Sequence, residues 1–203
     1  VACATSATRE ADNGGDFIAE VDRQIAIRIR VISGTEEARL IHLAAGYGVD
    51  IGATTAVVVD IGGGSVEITF GSATHLTLGR SFKAGVIRLT ERFVKSDPLS
   101  GGDECRLIKH LNREMGSYID QIAGKGFDRV IGTSGTILSL GLMAATDVGE
   151  PPEDVRNLKV SARSPVEITI ASCRLPLAQR ADYSHFAVVR TKLKWSGGFV
   201  EKA

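Results

Sequence analysis

One run of residues restricts this chain more than any other: Val57-Val58-Val59-Asp60-Ile61-Gly62-Gly63-Gly64-Ser65-Val66-Glu67-Ile68-Thr69-Phe70. Val57 to Val59 are β-branched and continuous, the pattern of a strand covered on both faces. Three consecutive glycines, Gly62, Gly63 and Gly64, let the backbone turn tightly and approach a ligand with no Cβ in the way. N–H groups exposed in such a turn form a concavity for an anion. Asp60 stands at its mouth, placed to hold a divalent cation or its water shell. Ser65 adds a hydroxyl, and Glu67 a second carboxylate on the returning strand. The run predicts a hairpin that binds phosphate and metal. The competing description is a plain β-hairpin with a flexible turn, and the acid on each flank favours the first.

Composition sets the frame for that hairpin. The chain has 203 residues, 43% apolar and 24% charged, enough for one large domain or two small ones with a real core. Its net charge is zero, so no global field draws it to nucleic acid or to a membrane. Eight Lys or Arg lie between Arg156 and Lys194, against only Glu167 and Asp182, so the front is the acidic half. Cys3, Cys105 and Cys173 are far apart, with neither metal spacing nor a disulfide framework. They read as small buried residues of a cytoplasmic protein. No apolar run reaches the length of a membrane span. The chain starts at Val1 inside an expected strand and without Met, which reads as a fragment.

In order, Val1 to Thr5 predicts a short strand. Ser6 is placed to cap one helix with apolar positions Ala11, Phe17, Ile18 and Val21. Arg9 near that junction points to the end of a sheet, where ligands sit in open α/β folds. Ile25 to Ile32 alternates as a half-exposed strand. Ser33 with Glu36 forms a capping box for a helix to about Tyr47, with Glu37 in its first turn. Residues 49–54 read as a connector. A third strand is expected over 74–81 and a helix over 85–94, with Val86, Ile87, Thr90, Phe93 and Val94 on one side. A longer helix follows over 103–123, striped by Ile108, Leu111, Met115, Ile119 and Ile122. After a strand at 128–131, Gly132-Thr133-Ser134-Gly135-Thr136 opens a helix over 137–145. Glycines and hydroxyls at a helix N-terminus suit a second phosphate loop, the alternative being N-capping by Thr133 or Ser134. Val166 to Ile170 is a further expected strand.

Taken together, four segments resemble the exopolyphosphatase/guanosine pentaphosphate phosphatase (Ppx/GppA) family of the actin-like ATPase superfamily. They are Ala4-Thr5-Ser6-Ala7-Thr8-Arg9-Glu10-Ala11, Ile32-Ser33-Gly34-Thr35-Glu36-Glu37-Ala38-Arg39-Leu40, Asp60-Ile61-Gly62-Gly63-Gly64-Ser65-Val66-Glu67, and Gly132-Thr133-Ser134-Gly135-Thr136. Their order and spacing fit over roughly residues 1 to 146. The resemblance implies a two-lobed, ribonuclease H-like α/β fold: the rear part of a first lobe in residues 1–52 and a second lobe in 53–203. It implies that Glu37 is the catalytic glutamate acting on water, that Asp60 is the acid of the metal and phosphate site, that Glu67 is a further catalytic and metal-binding carboxylate, and that Arg9 contacts substrate phosphate. Gly62 to Ser65 then match the second-lobe phosphate loop. Two departures stand out. The family's first-lobe phosphate motif has no counterpart before Val1, and the segment around Arg180 matches only faintly.

The expected activity is Mg²⁺-dependent hydrolysis of a terminal phosphoanhydride, on inorganic polyphosphate or guanosine pentaphosphate (pppGpp). Alone, this stretch is expected to be inactive, since such a cleft grips phosphate from both lobes. Another actin-like ATPase or phosphotransferase, and a nonenzymatic polyphosphate- or nucleotide-binding module, are the alternatives. Oligomeric state stays open, a homodimer being one arrangement.

Overall fold

The computed structural model describes residues 1–147 and Lys159. The expected strand at Val166–Ile170, Cys173 and the segment around Arg180 lie outside those residues. The front of the chain forms a parallel pair, β1 (Ala2–Ala4) against β2 (Ile29–Val31), with Ala2 opposite Ile29 and Ala4 opposite Val31. Two helices connect them, α1 (Ser6–Glu10) and α2 (Gly14–Ile25), where one was expected. The break follows from Ala11, which is extended at φ −73° and ψ 135°. Only glycine fits at the start of α2, because a Cβ on Gly14 would stand 2.1 Å from the Thr8 carbonyl oxygen. Ser6 does not cap α1; Thr5 is the N-cap, and Ser6 instead donates to Glu10. β2 is shorter than its alternating pattern, since Ile25 closes α2 and Ala26 takes the left-handed φ of 54°.

α3 (Gly34–Gly48) begins as expected: the Ser33 hydroxyl accepts from the Glu36 amide at 3.1 Å. The reciprocal half of the capping box is replaced, because the Glu36 carboxylate pairs with Arg39.

A four-stranded sheet follows, in the order β5-β4-β3-β6, from β3 (Ala56–Ile61), β4 (Val66–Gly71), β5 (Leu76–Phe82) and β6 (Arg129–Thr133). β3, β4 and β5 are antiparallel neighbours, whereas β6 returns parallel to β3 after α4 (Val86–Phe93) and α5 (Gly101–Ala123). α6 (Ser134–Asp147) leaves β6 directly.

Side chains alternate across this sheet and so sort into two layers. Val57, Val59, Ile61, Val66, Ile68, Phe70 and Phe82 share one core with Leu89 of α4 and Leu107, Leu111, Met115, Tyr118 and Ile122 of α5. The buried stripe of α5 thus runs through Leu107 and Tyr118 rather than Ile108. On α4 the anchor is Leu89, while Ile87 is 61% exposed beside the glycine loop. Ala56, Val58 and Ile131 face the other way and pack with Ala45 of α3 and with Ile51. Val57 and Val58 are both wholly buried, one toward each layer, so β3 is covered on both faces as its composition predicts.

α3 is fastened to the sheet by polar contacts that the sequence did not announce. His42 is fully buried; its Nε2 lies 2.9 Å from the Ser72 carbonyl and its Nδ1 2.8 Å from the Thr69 hydroxyl. A carbonyl only accepts, so Nε2 carries the hydrogen on the Ser72 contact. The helix also comes close, since a Cβ on Gly46 would be 2.3 Å from the Ala73 carbonyl oxygen. The cysteines depart from expectation: Cys3 and Cys105 are free and exposed. Among the described residues, no helix is long and apolar enough to cross a membrane.

Candidate active site

The alternation that sends Val59 and Ile61 into the α5 layer turns Asp60 to the α3 side. Val66 and Ile68 do the same for Glu67. Register then sets them side by side, with Glu67 opposite Asp60 on one flank and opposite Ser81 on the other, and Asp60 opposite Thr133. One polar row therefore crosses all four strands: Ser81, Glu67, Asp60, Thr133. Each carboxylate is held by the hydroxyl outside it. Ser81 donates to Glu67 Oε1 at 2.6 Å, and Thr133 donates to Asp60 Oδ2 at 2.6 Å.

Above this row comes the N-terminus of α3. A Cβ on Gly34 would meet Ser81 Oγ at 2.8 Å, so a glycine lets the first turn of α3 settle on the row. Glu37, one residue into that turn from Glu36, has a side chain only 14% exposed and lies 3.4 Å from Arg9 Nη1. Arg9 also donates to the Ile32 carbonyl at 2.7 Å, which fixes the guanidinium at the end of the small sheet. Glu37 lies against Arg9 and, with Asp60, near enough to Glu67 for their charges to act on it.

The electrostatics of the row are unbalanced. Burial pushes the Glu67 carboxyl above its ordinary range; bonds from Ser81 and Ser65 pull it back, while the charges of Glu37 and Asp60 raise it further. Three acids thus share one corner with Arg9 as their near cation. Among the described residues, no group of three or more metal-ligating side chains is preassembled. A site with two adjacent carboxylates still suits Mg²⁺, which is held by one or two carboxylates and completes its shell with water and phosphate oxygens.

The glycine loop is oriented by what it gives away. The amides of Gly85, Val86 and Ile87 donate to the carbonyls of Gly64, Gly62 and Gly63 at 3.2, 3.0 and 3.0 Å. With the carbonyls of Gly62 and Gly63 turned into the N-terminus of α4, the N–H groups of Gly63 and Gly64, opposite them in each planar peptide, point away from α4. The Gly62 amide closes the turn on the Ser65 carbonyl at 3.0 Å, and among the described residues the amides of Gly63 and Gly64 have no such bond. None of the three takes a positive φ, so the turn itself does not demand glycine; crowding is tightest at Gly64. A Cβ on Gly63 would stand 2.9 Å from Ile87 Cδ1, and one on Gly64 2.5 Å from Ser6 Oγ.

The second glycine segment is arranged otherwise. Gly132 and Thr133 lie in β6, and α6 starts at Ser134, so no loop intervenes. Ser134 alone makes the turn, at φ 73°. Its hydroxyl donates to the Ile61 carbonyl at 2.9 Å, and that of Thr133 is spent on Asp60. These hydroxyls neither cap α6 nor face an open loop. Gly135 and Thr136 follow within the first turn of α6.

Comparison with known proteins extends this geometry. The model of the Ppx/GppA phosphatase family matches residues 1–155. Exopolyphosphatase 1 of Mycobacterium leprae is 30% identical over 206 residues, covering all of this chain and 60% of that protein. The crystal structure of the Aquifex aeolicus Ppx/GppA family member superposes with a TM-score of 0.74 at 27% identity, over 93% of this chain and 60% of the other. An exopolyphosphatase from Cytophaga hutchinsonii shares the fold with a TM-score of 0.84 at 24% identity, over 94% and 62% of the two chains. The chain thus spans about 60% of the length of these relatives. Its fold is the two-lobed, ribonuclease H-like α/β fold expected from the sequence, and the chain belongs to the Ppx/GppA phosphatase family.

Proposed function

We propose that the full-length protein hydrolyses the terminal phosphoanhydride of inorganic polyphosphate, or of pppGpp. One observation carries this reading: the Gly63 and Gly64 amides open beside a row of carboxylates that faces Glu37. The relative named exopolyphosphatase supports polyphosphate as the substrate class. Phosphoryl transfer to water needs little covalent help; it needs an aligned water, a held phosphoryl group and relief of negative charge. In this assignment Gly62 to Ser65 cradle the terminal phosphate through backbone amides. Arg9 has further N–H donors beyond those on Ile32 and Glu37, and offers them to phosphate oxygens. Glu37 accepts the proton of the attacking water, or orients it. Asp60 and Glu67 hold Mg²⁺, and Thr133 and Ser81 keep their carboxylates aimed. When bound, Mg²⁺ supplies charge neutralisation at the phosphoryl oxygens. For the second glycine segment the proposal shifts the role of Thr133 toward aligning Asp60, and leaves Gly132, Ser134, Gly135 and Thr136 at the rim of the phosphate site.

The test is orthophosphate release by the full-length protein from polyphosphate and from pppGpp, with Mg²⁺ and with chelator. Release from either substrate that disappears with chelator is the expected result. Nucleotide-dependent phosphoryl transfer to a small acceptor, or binding with no release, would replace the hydrolase reading by one of its rivals.

A further inference from the structure

Outside the catalytic row, a second cluster of charges joins the front of the chain to the glycine loop. Glu10, the last residue of α1, receives Arg88 Nη2 at 2.8 Å, Lys83 Nζ at 3.1 Å and the Ser6 hydroxyl at 3.2 Å. Burial opposes the charge on Glu10, yet Lys83, Arg88 and Ser6 outweigh it and hold the carboxyl below its ordinary range. Arg88 reaches further: its Nε donates to the Gly64 carbonyl at 3.2 Å. The same guanidinium therefore grips a carboxylate of α1 and a peptide of the phosphate loop. Ser6, from the other end of α1, presses on Gly64 so closely that no Cβ fits between them. Arg9, the neighbour of Glu10, faces the opposite way, toward Glu37. A single turn of helix thus ties the water-activating glutamate on one side to the phosphate loop on the other.

We propose that Arg88 is a positioning residue for the phosphate loop, acting through Gly64 and Glu10 rather than by touching substrate. The physical reason lies in the peptide plane. The Gly64 carbonyl belongs to the Gly64–Ser65 peptide, so holding that oxygen against Arg88 and the Gly85 amide sets the direction of the Ser65 N–H at the end of the loop. Glycines resist no rotation on their own. Val86 and Ile87 already hold the peptides that carry the Gly63 and Gly64 amides; without Arg88 the Ser65 amide would sample more directions, and ordering it would oppose phosphate binding. Lysine cannot substitute, because an ammonium has no planar fork to span a carboxylate and a carbonyl.

This inference rests on the phosphate reading of Gly62 to Ser65, and the experiment separates the two. Tripolyphosphate affinity in the presence of Mg²⁺ is measured for the full-length wild type, Arg88→Lys, Arg88→Met and Glu10→Gln, over a range of salt, with melting temperatures for each. Expected are a loss of about tenfold for Arg88→Lys and for Arg88→Met, the worth of a charge-assisted hydrogen bond, and a smaller loss for Glu10→Gln. The slope of affinity against salt should stay at the wild-type value, because no phosphate contact is removed. Wild-type affinity in folded Arg88→Lys would overturn the positioning role while leaving the phosphate site standing. A reduced salt slope would overturn it in favour of direct contact. A lowered melting temperature with unchanged affinity would make Arg88 a purely structural tie and overturn it as well. Failure of the wild type to bind tripolyphosphate would defeat the site reading and this inference together.

Discussion

Two glycine segments that look alike in sequence behave differently in the fold. Gly62-Gly63-Gly64-Ser65 hands its carbonyls to α4 and keeps the amides of Gly63 and Gly64 open. Gly132-Thr133-Ser134 hands both of its hydroxyls to β3 and passes from strand to helix without a loop. Composition alone does not make an anion site; what matters is which half of each peptide is already engaged. In the proposed site the first segment takes the phosphate, its acceptors being occupied already. The second would serve it, since Thr133 bonds to Asp60, the proposed metal ligand.

The largest effect expected concerns the chemistry that both segments surround. Glu37→Gln in the full-length protein should lower turnover by about 10²–10⁴-fold, the usual cost of losing a general base. Tripolyphosphate affinity should stay near the wild-type value. Orthophosphate release and a binding titration measure the two quantities separately, and normal turnover would shift suspicion to Glu67.

The comparison itself breaks or holds on a pair of glycine variants. Gly64→Ala forces a Cβ to 2.5 Å from Ser6 Oγ and so displaces the loop. It should weaken tripolyphosphate binding by about tenfold or more, of the order expected when an anion loses well-aimed charge-assisted donors. Gly132→Ala drives a Cβ into Ile137 Cγ2 at 2.1 Å, a packing conflict with α6 that touches neither Gly63 nor Gly64. It should cost about 1–3 kcal/mol of stability, as overpacking does, with affinity nearly unchanged. The reverse pattern in melting and titration data would exchange the roles of the two segments.

Thr133→Val sharpens the contrast. It removes the 2.6 Å bond to Asp60 and keeps the shape of the side chain. The concentration of Mg²⁺ needed for half-maximal activity should rise by about 10-fold or more, as for other residues that orient a metal ligand. Affinity for phosphate measured without metal should not change.

Much of this was legible because local chemistry and tertiary structure agreed. The β-branched run at Val57–Val59 could only be a covered strand, and Ser33 with Glu36 could only begin a helix at Gly34. The alternation of Asp60 and Glu67 against valines and isoleucines put both acids on one face. What stayed hidden depended on contacts across the chain. Nothing local shows that Thr133 reaches Asp60 across a parallel strand pair, or that His42 bridges α3 to Thr69 and Ser72. The glycine run gives no local sign that Ser6, distant in sequence, crowds Gly64 so that a Cβ would stand 2.5 Å from the Ser6 hydroxyl. Nor does anything local to Glu10 show that Arg88 and Lys83 come to it from across the chain.

The smallest effect expected is on stability, and it depends on pH. The Glu67 carboxyl is raised above its ordinary value of 4.5, chiefly by burial. A raised acid adds stability below its unfolded pKa, where it is protonated in both states. That contribution is lost as pH rises through the folded value, because the native state then carries a disfavoured charge. Glu67→Gln should therefore stabilise the protein at neutral pH by about 0.5–2 kcal/mol, the gain typical of relaxing a strained functional site. The gain should vanish below about pH 4.5. Denaturant melts at several pH values measure it, and a constant difference at all pH values would remove burial of charge as its cause.

The most direct measurement follows the backbone amides of the full-length protein by ¹⁵N-resolved NMR during titration with tripolyphosphate and Mg²⁺. Saturable shifts at Gly63 and Gly64, with smaller ones at Gly135 and Thr136, are expected if the first glycine segment is the phosphate cradle. Shifts confined to the second segment, or none at Gly63 and Gly64 while the ligand is demonstrably bound, would contradict it.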